Sequence, residues 1–303
     1  MREQAYTIRP AKLEDLPTIF QLFLEYEEKV YGERQTSELE VREILTTIDE
    51  NDRKALWKDG KLAGFSLLTV KDHRLPSLLM VYPEEEMGVM MNELLKELVH
   101  SAVSKKENER DERVIVLSAN LETESKTLED YGFTPVRHWF QMNMDLTDYN
   151  VKLPDKEDGP VLSTFSLDET EMLHELFEEV FSDHFDYHPT SLEDFKKRFQ
   201  RELFDPSLWF LLKKENEPIG FIMCTVNDES GLGEITHLGV RKDCRNRGYA
   251  TILLHHAFTI LKERGMNTAA LSVDSESLTD ATIVYQKAGM HVHRSFTRMD
   301  FTV

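Results

Sequence analysis

The densest run of chemistry-bearing side chains is the stretch GEITHLGVRKDCRNRGYATILLHHAFTILKERGM. Its pattern predicts a strand over 234–240, a polar turn over 241–248 and a helix over 249–264 whose apolar stripe is Ile252, Leu253, Ala257, Ile260 and Leu261. A strand that runs through a glycine-containing turn into a helix N-terminus is a ready anion site. Unpaired N–H groups and the positive end of the helix dipole converge there, and glycine lets an oxyanion approach the main chain. Arg241, Lys242, Arg245 and Arg247 add positive charge. The spacing fits neither the P-loop nor the glycine triad of dinucleotide folds. A second cluster is the segment SDHFDYHP, where Asp183, His184 and Asp186 are candidates for contact with a substrate, the alternative being an ordinary polar loop. No metal is expected, because Pro189 directly after His188 argues against both histidines sharing one helix face and no further ligand set has zinc spacing. The adjacent His255 and His256 are assigned no chemistry.

These groups must be held by a larger frame. The chain has 303 residues, with 36 basic and 56 acidic side chains, a net charge of −20, 40% hydrophobic and 30% charged content. That is a globular profile long enough for two domains. The two halves echo each other. TIRPAKLEDLPTIFQLFLEYEEK and VLSTFSLDETEMLHELFEEVF each read as strand, acidic helix start and amphipathic helix. Gly64-Phe65 and Gly220-Phe221 fall in matching hairpins, and Gly132 and Gly289 in matching helix stops. Units of this size are duplicated domains rather than solenoid repeats. Strands and helices alternate within each, so the expected class is mixed α/β (α+β), two tandem domains with a central mixed sheet flanked by helices. The expected borders are 1–147, a polar, proline-bearing linker at 148–160, and 161–303.

The acidic balance works against nucleic acid and anionic membrane as partners. No apolar run is long enough to span a bilayer and MREQAYTIRP has no signal-peptide core, so a cytoplasmic protein is expected. Cys224 and Cys244 are too few for a disulfide framework.

Arg245-Asn246-Arg247-Gly248-Tyr249-Ala250 resembles the Arg/Gln-x-x-Gly-x-Gly/Ala loop of the GNAT family of N-acetyltransferases, and the preceding strand ending Leu238-Gly239-Val240 is similar to the family's fourth strand. Downstream, LSVDSESLTDATIVYQKAGM resembles its next strand, helix and glycine stop, with Tyr285 four residues before Gly289. The tandem arrangement, with SDHFDYHP and FDPSLWFLL, resembles the mycothiol synthase-like branch. The resemblance implies acetyl-CoA as acyl donor. The loop from Arg245 to Thr251 would bind its pyrophosphate, Leu238, Gly239 and Val240 its pantetheine arm, and Ser277 would stand where the family commonly has Asn. It also implies transfer to a primary amine of a small molecule, with Glu234 at the position of a general base and Tyr285 at that of a general acid. Glu234 is otherwise a solvated strand-end carboxylate, and Tyr285 otherwise a packing ring in the stripe Ala281, Val284, Tyr285. His237, on the opposite strand parity from Glu234 if pairing is regular, is read as a satisfied or surface histidine. Alternatives are a non-catalytic acyl-CoA sensor and acylation of a cysteinyl sugar. A monomer or homodimer is expected.

The first half should lack the cofactor site. At the matching turn it reads SLLMVYPEEEMGVMMNELLKEL, with Glu84, Glu85 and Glu86 in place of arginines, and Leu128 stands four residues before Gly132. A carboxylate 4 Å from a pyrophosphate charge costs about 1 kcal/mol in water and more when buried.

Overall fold

The computed structural model describes residues 6–151, 159–277 and 279–303. It divides into two compact units, Met1–Trp139 with Ser295–Val303, and Phe140–Arg294. These borders differ from the expected ones. The chain passes between units inside strands, whereas the polar segment at 148–160, of which 152–158 lie outside the described residues, follows a strand of the second unit. Polar composition signals an exposed connection, which need not be a domain border.

Unit 1 contains β1 (Tyr6–Pro10), α1 (Leu16–Tyr31), α2 (Glu38–Thr47), β2 (Arg53–Lys58), β3 (Lys61–Leu68), β4 (Arg74–Val81), α3 (Met87–Ser104), β5 (Val114–Ala119), α4 (Glu122–Tyr131) and the start of β6 (Thr134–Asp145). Strands β1 to β4 form an antiparallel meander. β4 then pairs in parallel with β5, but only over Arg74–Pro76. The period-2 alternation of the strands sends Ala55 and Phe65 to a cluster under α1 and α2, and Leu56 and Val81 to a cluster under α3 and α4. The sheet is thus covered on both faces.

Unit 2 repeats the plan with β7 (Val161–Thr164), α5 (Thr170–Phe181), α6 (Leu192–Lys196), β8 (Trp209–Lys214), β9 (Glu217–Asn227), β10 (Leu232–Val240), α7 (Tyr249–Glu263), β11 (Thr268–Asp274), α8 (Ala281–Lys287) and β12 (His291–Thr302). The last part of β12, from Ser295, belongs to unit 1, where it pairs antiparallel with β5 from Thr297↔Ala119 to Thr302↔Val114. β7 to β10 are antiparallel, and β10 pairs in parallel with β11 only over Leu232–Glu234. Leu173, Leu176, Phe177 and Val180 form the buried face of α5. On α7 the buried stripe is Leu253, Leu254, Ala257, Phe258 and Leu261, with Ile252 and Ile260 at its margin.

Glycines enforce the close layering. A Cβ on Gly220 would come within 3.2 Å of Leu253 of α7, and one on Gly239 within 2.5 Å of Val180 of α5. In unit 1 a Cβ on Gly64 would come within 2.9 Å of Leu94 of α3, so the repeated glycine does the same work in both halves.

Candidate functional site

Beyond Glu234 the partners of β10 and β11 part, leaving residues 235–240 with no strand on that side. A cavity of about 420 Å³ opens here, walled by Leu238, Gly239 and Val240 of β10, the turn and first residues of α7, Ala281, Val284 and Tyr285 of α8, and Val180 and His184. It lies wholly in unit 2.

The turn begins as one short helical turn over Lys242–Cys244 and then places Asn246 at φ 61° and Gly248 at φ 83°. The left-handed region strains any residue with a Cβ, and Asn and Gly are those that enter it most readily. Space is not what requires Gly248, since a Cβ there would meet nothing within 4 Å. The first intrahelical bond of α7 runs from Ile252 N–H to Gly248 O (3.1 Å), so the N–H groups of Tyr249, Ala250 and Thr251 precede the helical ladder and have no partner in it. Asn246, Gly248, Tyr249, Ala250 and Thr251 all line the cavity.

The arginines divide in role. Arg245 turns inward: Nε donates to Val240 O (3.2 Å), Nη1 to Asp183 Oδ2 (3.1 Å) and Nη2 to Val180 O (3.4 Å). It fastens the end of β10 to the end of α5, and the residue also lines the cavity. Arg241 grips Asp243 through two bonds, of 3.0 and 2.6 Å. Arg247 is exposed, is not in the cavity wall, and donates to Asp243 O (3.1 Å). Asp243 and Asp183 therefore offset part of the positive charge that the sequence concentrates here.

Tyr285 is 9% exposed and belongs to the cavity wall. Its phenol makes no hydrogen bond among the described residues, and burial pushes its pKa up to about 12. Ala281 and Val284 share that wall, so the apolar stripe and the site face coincide. Ser277 is not in the wall; its hydroxyl lies 3.0 Å from that of Thr279, which is.

Glu234 is exposed and outside the cavity wall. The pairing of β10 with β9 shifts between Ile235 and His237, a bulge at Thr236. Its effect is visible in the glycines. A Cβ on Gly233 would meet Leu261 of α7, whereas one on Gly239, of the same parity by count, would meet Val180 of α5. The extra residue reverses the alternation, so Glu234 and His237 share the α5 face of the strand, contrary to the opposite parity expected from regular pairing. The His237 ring lies 5.1 Å from Phe177 and 5.8 Å from Phe181.

Asp183, His184 and Asp186 take separate places. Burial raises the Asp183 carboxyl, but bonding and charge from Arg245, then Lys242, outweigh it and hold the group below the usual range. His184 lines the cavity with its ring 4.6 Å from Phe181. Although exposed by area, its ring is crowded enough that desolvation lowers its pKa, with Asp183 opposing. Asp186, at φ 55°, lies 3.4 Å from His188 and not in the cavity wall. Sequence reasoning gave no role to Val180, Cys244, Thr279 or Asp280, which also line the cavity; the strand splay alone could have signalled them.

In unit 1 Tyr26 of α1 donates to Glu124 Oε1 of α4 (2.5 Å), and Asn120 Nδ2 donates to Tyr26 Oη (3.2 Å). The buried bond joins the two helical layers that cover the sheet of this unit. At the start of α3, Lys58 bridges Glu84 and Glu86, each at 2.7 Å.

The acetyltransferase (GNAT) family model matches residues 170–290. Curated relatives include the mycothiol acetyltransferases of Streptomyces avermitilis (28% identical over 166 residues, covering 54% of this chain and 53% of the relative) and Thermomonospora curvata (31% over 164 residues, 52% and 53%). The chain thus spans about half the length of the curated relatives it matches. Among solved structures, a GCN5-related N-acetyltransferase from Sphaerobacter thermophilus superposes with TM-score 0.79 at 23% identity, covering 98% of this chain and 95% of that one. A tandem GNAT protein from the clavulanic acid biosynthesis pathway gives TM-score 0.75 at 11% identity, covering 98% of each. At these identities the structural likeness establishes the fold.

Proposed function

We propose, from the match of residues 170–290 to the acetyltransferase (GNAT) family model, that unit 2 moves an acetyl group from acetyl-CoA to a primary amine of a small molecule. The observation that carries this reading is the gap between β10 and β11, which opens directly onto the unpartnered N–H groups at the start of α7. The residues fit the donor. The α7 N-terminus offers main-chain donors to a pyrophosphate, open space faces Gly248, and the free edge of β10 at Leu238–Val240 can hydrogen-bond an amide-bearing arm as a further strand would. Acetyl-CoA supplies an acyl group already activated as a thioester.

The remaining work falls to the chain. The amine must attack uncharged, and this reading assigns Glu234, exposed on the α5 face and outside the cavity wall, to take its proton directly or through water. Tyr285 stays protonated at any working pH. A thiol titrates near 8.5, so full proton transfer from a phenol near 12 is uphill by roughly 5 kcal/mol. Tyr285 therefore acts chiefly by hydrogen-bonding the charge that develops on the leaving sulfur, which departs as a thiolate and takes its proton from solvent. Unit 1 binds no CoA in this reading.

The likeness to the mycothiol acetyltransferases of Streptomyces and Thermomonospora supports a second reading, transfer to a cysteinyl sugar. Thiol release from acetyl-CoA, measured over polyamines, amino acids, aminoglycosides, peptides and a cysteinyl sugar, tests both. Acceptor-dependent release is expected; CoA binding with no release across the panel would leave a sensor and overturn catalysis.

A further inference from the structure

Beside the α5 face of β10 lies a cation with no ion-pair partner among the described residues. Arg198, just after α6, makes no side-chain hydrogen bond or ion pair among the described residues. Its guanidinium sits 5.0 Å from the ring centre of Phe177 and 5.1 Å from that of Phe195. Phe177 is the ring that also packs 5.1 Å from His237 on β10, so Arg198 stands one aromatic ring away from the strand face that carries Glu234. Glu178, the acid whose charge acts on Arg198, accepts through one carboxylate oxygen from Tyr187 and from the Thr190 N–H (3.1 Å), and its other oxygen is buried without a hydrogen bond among the described residues.

Such an arrangement is costly by itself. A half-buried guanidinium loses hydration, and two phenyl faces return only part of it. Burial pushes the Arg198 pKa down, as does Arg201, with Glu178 opposing. The five N–H donors of a guanidinium form a fork suited to a carboxylate or phosphate, and here no protein group fills it. The two rings lie against the guanidinium, and the residue is half-buried rather than closed off. The surrounding chain carries net charge −20, so an anion would be drawn here by local geometry rather than by the overall field.

We propose that Arg198 is a specificity-determining residue that binds a carboxylate or phosphate group of the acceptor, so that the acceptor is an amine carrying its own anionic group. This rests on the acetyl-transfer reading, because it assigns the acceptor side of that site. The ammonium end would lie toward Glu234 and the anionic end toward Arg198, with Phe177 between them.

The test uses amines paired to differ only in the anionic group: tyrosine with tyramine and lysine with cadaverine for carboxylate, phosphoethanolamine with ethanolamine for phosphate. Each is titrated calorimetrically into the full-length, CoA-bound protein, which needs no turnover, and thiol release from acetyl-CoA is then followed. The anionic member of at least one pair should bind about 10- to 100-fold more tightly. Arg198→Met, which keeps the packing on Phe177 and Phe195, should collapse that ratio toward one through KM, and Arg198→Lys should restore part of it. Unchanged CoA affinity in both variants checks that the fold is intact. Equal binding within every pair, or a ratio that survives in Arg198→Met, would overturn the inference. Absence of thiol release with a preserved binding ratio would instead overturn acetyl transfer and leave Arg198 as an anion receptor.

Discussion

The start of α7 and the start of α3 occupy the same place in the repeat and have opposite chemistry. In unit 2 the turn enters its helix through two left-handed residues, Asn246 and Gly248, and the parted strands behind it leave a cavity of about 420 Å³. In unit 1 the turn enters through Glu84 and Glu86, held by Lys58, and a buried bond joins Tyr26 to Glu124. Both halves keep the splay, which is a property of the fold. The lesson is that a shared backbone plan is given different chemistry by a few side chains: Lys58 offsets part of the acidic loop's charge, so the two turns differ less in net charge than their sequences do.

Substitutions that touch only one side of this comparison should sharpen it. The largest effect is expected at Tyr285, which has no hydroxyl-bearing counterpart at Leu128. Tyr285→Phe should lower kcat by about 10²- to 10⁴-fold with little change in CoA affinity, read by steady-state kinetics beside calorimetry. An unchanged rate would leave Tyr285 as a packing ring. Next, Gly248→Glu should weaken CoA binding by about 100-fold, combining left-handed strain with repulsion of the pyrophosphate, whereas Gly248→Ala should show the strain alone and lose about 10-fold. Equal losses in the two variants would remove the anion from the explanation.

Arg245→Met should act on the fold more than on the cofactor, because the side chain ties Asp183, Val180 and Val240. A loss of about 1 to 3 kcal/mol in unfolding free energy is expected, against little for the exposed Arg247→Met. The reverse ranking would show that Arg245 serves the ligand directly.

The smallest effect separates the units by pH. His256 of α7 packs edge-on to Phe210 at 4.4 Å, and desolvation lowers its pKa. The unfolded chain then binds more protons, so its contribution is complete above the ordinary value of 6.5 and is lost as pH falls below it. Glu124 runs the other way. Desolvation outweighs the hydrogen bonds it accepts and raises its pKa, so its contribution is complete below the ordinary 4.5 and declines as pH rises above it. Thermal midpoints across pH 4 to 8 should therefore flatten below about pH 6.5 in His256→Phe and above about pH 4.5 in Glu124→Gln, each by about 1 kcal/mol or less. Parallel curves for the two variants would contradict these assignments.

Much of this was legible in the sequence because it depends on local chemistry. The turn-to-helix pattern, the positive charge around it, the repeated Gly64 and Gly220, and the helix-stop glycines Gly132 (φ 116°) and Gly289 (φ 99°) all follow from what one residue allows its own backbone or nearest neighbour. What stayed hidden depends on register or on distant partners. One extra residue at Thr236 turned His237 onto the face of Glu234, and no composition signals a bulge. The bond from the Arg245 side chain to Asp183, 62 positions away, has no signal in the loop motif. The Tyr26–Glu124 bond joins residues 98 positions apart and has no motif. The final strand, shared between the units, looked like an ordinary end to the second repeat.

The central claim is that the two halves differ in occupancy because only unit 2 presents open main-chain donors beside an open strand gap. Calorimetric titration of the full-length protein with CoA measures this directly. One equivalent per chain is predicted, abolished or strongly weakened by Gly248→Glu and unaffected by Glu85→Arg with Glu86→Arg. Two equivalents per wild-type chain, or one that persists undiminished in Gly248→Glu, would contradict the account.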